Sequence, residues 1–422
     1  MRTGLKVVLL GGAAVLAGGA APQPQQKVTG PVATYWMSAQ THTGFGMPGA
    51  GGAPSPMQMM QMLRGGSVTR TLSLQLGSSS KPAGEASAEH LPPAGLKVGA
   101  SLPLVTPKRQ PAQKTEDTPP TPQDFQRPKG KMLIFWGCAE RAKAGQPIVI
   151  DFAKMEPGKL PPGFEALSRG LNLTAMQPPS PGRNATYGEW PNEKTRTQVP
   201  GDGSLVGDHT VRGNYSPEIR FALSQAQDFL APLTLTTNAK NPTGSGQLGW
   251  NAVPNAQAYL ATAIGGGQDT VVLWTSSEVQ SSAFSLPDYI APGDVTRLVA
   301  AKALIGPQTT SCTVPKEVLD AAPQAMVQLA AYGPEANFVY PPRPSDPKAP
   351  WDRQWAVKVR YRSDTGGLLG QPMPGMGAGD EDAARPGRRS QPAQEQPPSK
   401  ADRRRQIMKG LGGALGVPVP IP

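Results

Sequence analysis

The chain offers few residues for nucleophilic catalysis, since its 422 residues include three histidines. One of them, His209, directly follows Asp208 and lies five residues after Ser204. These are the residue types of a serine hydrolase, in which a carboxylate orients the histidine base. However, no strand–turn–helix elbow motif surrounds the serine, and short polar residues with glycine are typical of turns. We favour an ordinary turn here, with an unrecognised hydrolase at residues 204–209 as an alternative.

Methionines are concentrated near the N-terminus, where six of them and one histidine fall within residues 37–62. Thioethers are soft ligands that select Cu(I), so this cluster could handle copper. The favoured alternative is packing, because Met59 and Met60 would share one face of a short helix predicted over residues 56–64. No cysteine or histidine spacing indicates zinc, and no cofactor is predicted. The weak metal candidates are Met57, Met59, Met60, Met62 and His42.

The first residues have the three-part pattern of a secretory signal peptide. Arg2 and Lys6 provide a positive start, and an uncharged, apolar stretch follows over residues 7–19. Small residues then allow cleavage between Ala20 and Ala21. The apolar stretch is too short to span a bilayer, and no later run of about 18 apolar residues follows it. We therefore expect an exported protein, in the periplasm, on the cell surface or secreted, with no transmembrane span after signal removal.

Cys138 and Cys312 are the two cysteines of the chain. In an oxidising compartment such a pair is more often one disulfide than two free thiols. A bridge between them would close a very long loop, for which the chain-entropy model assigns roughly 4–5 kcal/mol of stabilisation. We predict one disulfide, although the sequence leaves open whether the two residues come within reach of each other.

Composition limits the fold and the partners. The chain contains 49 glycines and 49 prolines, which excludes a helical fold throughout. Its formal net charge of +11 falls to +9 when Arg2 and Lys6 leave with the signal peptide. A basic surface favours an anionic surface or another envelope protein as partner, but simple solubility explains the charge as well. Export disfavours nucleic acid as a partner.

Short apolar segments predict β-strands along the first half of the chain. An early strand is predicted at residues 32–39, where Tyr35 and Trp36 supply apolar area to bury. Leu72, Leu74 and Leu76 alternate with polar residues, the pattern of a half-buried strand. The continuous apolar runs at residues 132–136 and 148–152 are typical of central strands buried on both faces. By contrast, residues 178–200 are rich in turn formers, which predicts that Tyr187 and Trp190 are exposed.

The second half of the chain shows clearer patterns. Trp355, Val357, Val359 and Tyr361 alternate with three basic residues, which predicts the closing strand of a sheet. Asp294 precedes a segment with apolar residues on one helical face, which predicts a capped helix over residues 295–305. Further strands are predicted near residues 233–237, 249–250, 259–264, 270–274 and 326–332.

Residues 248–259 resemble the second and third strands of a fibronectin type III module. In that family a core tryptophan is followed by a short turn, and a tyrosine of the next strand packs beside it; here Trp250 and Tyr259 take those places. The resemblance spans residues 234–361 at most, and the predicted helix departs from the family pattern. It implies a β-sandwich, in a family of mostly binding and spacing modules, and it implies no chemistry.

Together these patterns predict a mainly β protein with two β-sandwich-like domains, one or two short helices and disordered ends. The predicted function is a non-enzymatic binding or structural scaffold of the cell envelope, with copper handling or hydrolysis as alternatives. The predicted organisation is a signal peptide at residues 1–20, a flexible Gly/Pro/Met-rich leader at 21–66, a first β-rich domain at 67–213, a second β-sandwich domain at 214–365, and a disordered basic tail at 366–422.

Overall fold

A computed structural model describes residues 26–44, 68–107, 130–154, 171–267, 269–280, 286–346 and 348–371. This part of the chain is mainly β, with two short α-helices, as predicted. In chain order the elements are β1 (Val28–Thr29), β2 (Ala33–Gly44), β3 (Thr69–Ser78), β4 (Ala88–Leu91), β5 (Leu102–Leu104), β6 (Lys131–Trp136), β7 (Ile148–Asp151), β8 (Thr186–Trp190), β9 (Gly207–Gly213), β10 (Ser216–Leu223), β11 (Leu235–Lys240), β12 (Gly246–Trp250), β13 (Ala258–Gly267), β14 (Thr270–Thr275), α1 (Pro292–Ala300), β15 (Ser311–Val314), α2 (Lys316–Ala321), β16 (Met326–Tyr340), β17 (Trp351–Asp352) and β18 (Trp355–Leu368).

Strand β18 lies inside the largest sheet, whose nine strands run in the order β7-β6-β14-β13-β16-β18-β2-β3-β8. It pairs antiparallel with β16 and parallel with β2, so both of its edges are hydrogen-bonded. The alternation that predicted a strand here is confirmed, but β18 is a central strand and not the closing one. Alternation shows that a strand has one apolar and one polar face, and it carries no information about which strands flank it.

Strand β2 comes from the segment predicted to be a flexible leader. Instead of being free, it is hydrogen-bonded to β18 on one side and to β3 on the other. Tyr35, Met37 and Ala39 are fully buried, and this apolar alternation gives the segment enough area to offset its ordering entropy. Residues 366–368 were predicted to start the disordered tail, but they belong to β18. The signal peptide, leader residues 21–25 and 45–66 with the helix predicted over 56–64, and the tail from residue 372 onward lie outside the described residues.

Two smaller sheets form a second layer against the inner face of the nine-stranded sheet. Their strand orders are β10-β9-β4-β5 and β11-β12-β15, and residues from all three sheets share one apolar core. The Tyr35 ring lies 6.4 Å from that of Phe221, centroid to centroid, which joins β2 to β10. The rings of Trp250 and Tyr259 lie 5.6 Å apart, which joins β12 to β13. The predicted packing of this tryptophan beside this tyrosine is therefore present.

The described residues belong to one compact unit, which differs from the predicted division near residue 214. The nine-stranded sheet takes β2, β3, β6, β7 and β8 from before that position and β13, β14, β16 and β18 from after it. A turn-rich segment in the sequence marks the end of a strand, but the next strand can return to the same sheet. For this reason local composition did not identify the real partition of the chain.

Strands β7 and β8 occupy the two edges of the large sheet, in contrast to what the sequence predicts for both. Tyr187 and Trp190 are 3% and 4% exposed, because β8 pairs with β3 and turns its side chains onto neighbouring residues. Conversely, the apolar run of β7 belongs to an edge strand, and Val149 is 49% exposed. Turn-forming residues flank β8 on both sides, so the composition of this segment predicts a loop and gives no sign of the short strand.

Helix α1 covers part of the outer face of the sheet, over β13 and β16. Its Val295 and Leu298 pack in one apolar cluster with Leu260 and Tyr332. The helix starts at Pro292, since proline suits the first helical position, and ends near Lys302, whose φ of 57° is left-handed. Helix formation is confirmed, but the predicted span of residues 295–305 begins and ends too late.

A disulfide joins Cys138 and Cys312, whose Cα atoms lie 5.2 Å apart, as predicted. Cys138 follows β6 of the large sheet, and Cys312 lies in β15 of the three-stranded sheet. The bridge therefore links the two layers across the core. Within the described ranges, no helix combines the length and the apolar composition that crossing a bilayer requires.

Candidate functional site

Alternate residues of β18 give the large sheet a charged outer face. Val357, Val359 and Tyr361 point into the core, so the residues between them point the other way. We call these outward residues the outer ridge; its members are Lys358, Arg360, Arg362 and Asp364. The sequence correctly predicts that the three basic residues share a face.

Arg360 lies between two aromatic rings. Its guanidinium carbon is 4.8 Å from the ring centroid of Trp36 and 4.3 Å from that of Tyr289. Strand β2 places Trp36 there, since β2 runs parallel to β18 with Ser38 opposite Arg360. The guanidinium also donates through Nη2 to Ser38 Oγ at 2.6 Å, and its Nη1 lies 3.6 Å from Met176 Sδ. The result is a clamped, oriented cation.

Arg360 differs from its neighbours in having no carboxylate partner within ion-pairing distance among the described residues. Lys358 pairs with Glu335, and Arg362 pairs with Asp288 at 2.7 Å and approaches Asp364 at 3.4 Å. Burial is the main influence on Arg360 and lowers its pKa, while Tyr289, Glu335 and Asp288 oppose that effect in part. A half-buried arginine that makes no ion pair with a carboxylate is ready to receive an anion.

A cavity of about 380 Å³ adjoins this arginine. Arg360 and Tyr289 form one part of its wall, and burial raises the pKa of the Tyr289 phenol, which keeps the phenol neutral. Binding cavities combine a mostly apolar lining with a few polar groups that fix the orientation of the ligand. This cavity has such a lining, and its volume is at the small end of the usual range. Its main apolar lining residues are Leu173, Met176, Pro178, Pro287 and Ile290.

The residues of the hydrolase alternative do not come together. His209 is buried inside the second layer, where its Nε2 donates to the Leu205 carbonyl at 2.7 Å. Ser204 Oγ donates to Asp228 Oδ2 at 2.7 Å, and Asp208 is exposed. Asp208 and His209 lie in strand β9 and not in the predicted turn, and Ser204 does not reach His209, so this segment holds no serine nucleophile activated by His209.

His209 belongs instead to a buried hydrogen-bonded chain that crosses the two layers. Its Nδ1 lies 3.1 Å from His90 Nε2, and His90 Nδ1 lies 2.9 Å from the Tyr35 hydroxyl. The Leu205 carbonyl can only accept, so the proton of His209 is on Nε2 and its Nδ1 accepts from His90 Nε2. His90 Nδ1 then accepts from the Tyr35 hydroxyl, and both imidazoles are neutral. Burial lowers the pKa of His90 well below its ordinary value, helped by the nearby His209, and burial also lowers the pKa of His209.

The copper hypothesis involves residues both inside and outside the described part. Met57, Met59, Met60 and Met62 lie outside it. Met37 is buried on the inner face of β2, whereas His42 points to the outer face, so these two side chains cannot hold the same ion. In the ranges that the structure describes, no group of three or more His, Cys, Asp or Glu side chains is close enough to hold a metal.

Sequence patterns identified only part of this site. The alternation of β18 places Arg360 on the outer face, and Trp36 falls within a segment predicted as an early strand. Tyr289 belongs to no recognisable motif, and Met176 lies in a turn-rich stretch. Comparison of the chain with protein-family models, with curated proteins and with solved structures finds no match, so the fibronectin type III resemblance stays a prediction.

Proposed function

We propose that this chain is an exported binding protein that holds a small organic anion in the cavity beside Arg360. The observation that carries the proposal is the state of this arginine, which is clamped between Trp36 and Tyr289 without a carboxylate partner. In a soluble domain, a half-buried cation of this kind is costly unless a ligand supplies the missing charge. This agrees with the binding role expected from the sequence.

Export is part of the proposal. It is supported by the signal-peptide pattern at residues 1–20 and by the disulfide between Cys138 and Cys312, because structural disulfides persist in oxidising compartments. In the cell envelope, such a protein would bind its ligand at the outer face of the large sheet. The apolar core and the second layer of two small sheets would then serve as a rigid scaffold for this face.

The chemistry of the cavity indicates the class of ligand. A planar guanidinium favours a carboxylate, which it can receive through two parallel N–H groups. Apolar side chains such as Leu173 and Ile290 favour a hydrocarbon or aromatic body on the same molecule. We therefore expect a small carboxylate with an apolar part, in preference to a bare inorganic anion.

Isothermal titration of the full mature chain with benzoate, and with the uncharged benzamide, tests this. We expect benzoate to bind and benzamide to bind at least ten times more weakly. Arg360→Gln should weaken benzoate binding by about 10- to 100-fold, since hydrogen bonds to charged groups contribute about 1.5–3 kcal/mol.

Arg353→Gln is the matched control, because Arg353 also lies over a tryptophan, with its guanidinium carbon 5.5 Å from the Trp351 ring centroid. It adjoins no part of the cavity lining and should leave benzoate binding unchanged. Equal affinities for benzoate and benzamide, or no binding of either, would contradict the proposal. Unchanged binding by a folded Arg360→Gln protein would contradict it as well.

A further inference from the structure

Three side chains of catalytic type meet at one end of the outer face, where β18, β2 and β3 lie side by side. His42 Nδ1 lies 2.7 Å from Asp364 Oδ1, and His42 Nε2 lies 3.1 Å from Thr71 Oγ1. The parallel register of β18 and β2 places Asp364 directly opposite His42. The antiparallel register of β2 and β3 places Thr71 opposite Gln40, which lies two residues before His42 on the same face of β2.

The hydrogen bonds of this group fix its protonation. Asp364 is 1% exposed and also accepts from the Gln40 amide, with Arg362 Nε 3.4 Å away. Burial by itself would raise the pKa of Asp364, but the hydrogen bonds from His42 and Gln40 and the charge of Arg362 hold it below its ordinary value. The ionised carboxylate therefore accepts from His42 Nδ1, which leaves Nε2 of a neutral imidazole free to accept the Thr71 hydroxyl proton.

Accessibility separates this group from the buried histidine pair. Thr71 is exposed, and the side chain of His42 keeps 17% of its surface in contact with solvent, whereas the carboxylate behind it is almost fully covered. A buried acid that orients a partly exposed base, next to an exposed hydroxyl, is the arrangement that activates an alcohol as a nucleophile.

We propose that Thr71 is a nucleophile that takes an acyl group from an activated ester, with His42 as its general base and Asp364 as the positioning residue. Thr71 Oγ attacks the ester carbonyl carbon, and its proton passes to His42 Nε2. The bond from that carbon to the ester oxygen then breaks, and the leaving alcohol takes the proton from His42. The product is an acyl ester on Thr71, and attack by water would release it as a carboxylic acid.

This inference goes beyond the proposed binding function and does not depend on it. The test uses 4-nitrophenyl acetate with the full mature chain, followed by mass spectrometry of the peptides. We expect one acetyl group on the peptide that contains Thr71. His42→Gln should slow this acetylation by about 100-fold or more, the usual contribution of a general base.

The variants separate a nucleophile from a structural hydrogen bond. Thr71→Val keeps the shape of the side chain and should abolish the acetylation, whereas Thr71→Ser should retain it. Thr69→Val is the matched control, since Thr69 is exposed on the same strand and face but makes no hydrogen bond to His42. It should leave acetylation of Thr71 unchanged.

The role of Asp364 has its own readout. Asp364→Asn should lower the acetylation rate in a folded protein, because an amide can donate to His42 Nδ1 and so favour the wrong tautomer. Asp364→Glu keeps a carboxylate and should retain part of the rate, which a merely structural role would not predict. Acetylation of Thr71 no faster than that of Thr69, or at an unchanged rate in a folded His42→Gln protein, would overturn the proposal.

Discussion

The two faces of β18 and β2 consist of alternate residues of the same two segments, yet they have opposite characters. On the inner face, Tyr35 and Val359 are fully buried among apolar neighbours that come from all three sheets. On the outer face, Arg360 and Asp364 are held by hydrogen bonds, ring contacts and ion pairs. The inner face makes one continuous core, whereas the outer face is a set of separate polar contacts.

This difference indicates where stability and chemistry reside. Apolar burial contributes about 25 cal/mol per Å² and increases with every contact of the inner face. Charge pairs on the outer face lose in desolvation much of what they gain in attraction, so they stabilise the fold little. We therefore expect inner substitutions to change the free energy of unfolding, and outer substitutions to change binding or reactivity.

The largest expected effect is at Trp250, which is 3% exposed and packs beside Tyr259. Trp250→Ala should lower the free energy of unfolding by about 3–5 kcal/mol, because it removes buried area and leaves a cavity. Urea denaturation followed by circular dichroism measures this. Tyr340→Ala is the control, since Tyr340 is 53% exposed, and it should cost less than about 1 kcal/mol. Similar losses in both variants would remove the distinction between core and surface.

The next effect is that of the bridge between the two layers. Reducing the Cys138–Cys312 disulfide should lower the free energy of unfolding by about 2–5 kcal/mol, since the cysteines are 174 positions apart in the sequence and the open chain gains entropy. The urea midpoint with and without dithiothreitol measures the loss. In the double variant Cys138→Ala with Cys312→Ala, the reductant should have no effect. An unchanged midpoint of the wild type on reduction would show that the core holds the layers together unaided.

The smallest effect is the dependence of stability on pH, which differs between the buried histidines of the core and Asp364 on the outer face. His90 and His209 have lowered pKa values when folded, so the unfolded chain takes up protons first as the pH falls. Their contribution is fully present above about pH 6.5 and is lost below it, by up to about 1.4 kcal/mol per pH unit for each histidine. The pKa of Asp364 on the outer face is also lowered, but its contribution is lost only below about pH 4.

Urea midpoints measured between pH 7.5 and 5 test this order. The double variant His90→Gln with His209→Gln should flatten the decline between about pH 6.5 and 5.5, because its residues no longer titrate there. If the double variant keeps the wild-type slope, the buried pair is not its source.

The sequence predicted individual strands far better than their arrangement. The alternation at residues 355–361 correctly predicted a strand and the orientation of its side chains. Its position in the sheet depends on pairing with β2, which lies more than 300 residues away and leaves no local signal. The same limit explains why the sequence did not show that the early strand at residues 32–39 pairs with β18, and why the burial of Trp190 was unexpected.

The candidate sites show this limit more sharply. His42 and Asp364 are separated by 322 positions in the sequence, and no spacing rule connects them. Asp208 and His209 are adjacent in sequence, but alternation sends their side chains to opposite faces of β9. Proximity along the chain is therefore a poor guide to the chemistry of this fold. The disulfide was predictable, because a chain with two cysteines leaves a single pairing to consider.

The parallel pairing of β2 with β18 also dictates the order in which the molecule can be completed. Ribosomes release a chain N-terminus first, so nearly the entire described chain must be synthesised after β2 before its partner β18 emerges. Until then, β2 has a neighbour on one side only, and the sheet lacks its middle. Contacts between such distant segments make folding slow. The finished fold is thus a product of the whole chain, assembled after release and not piece by piece during it.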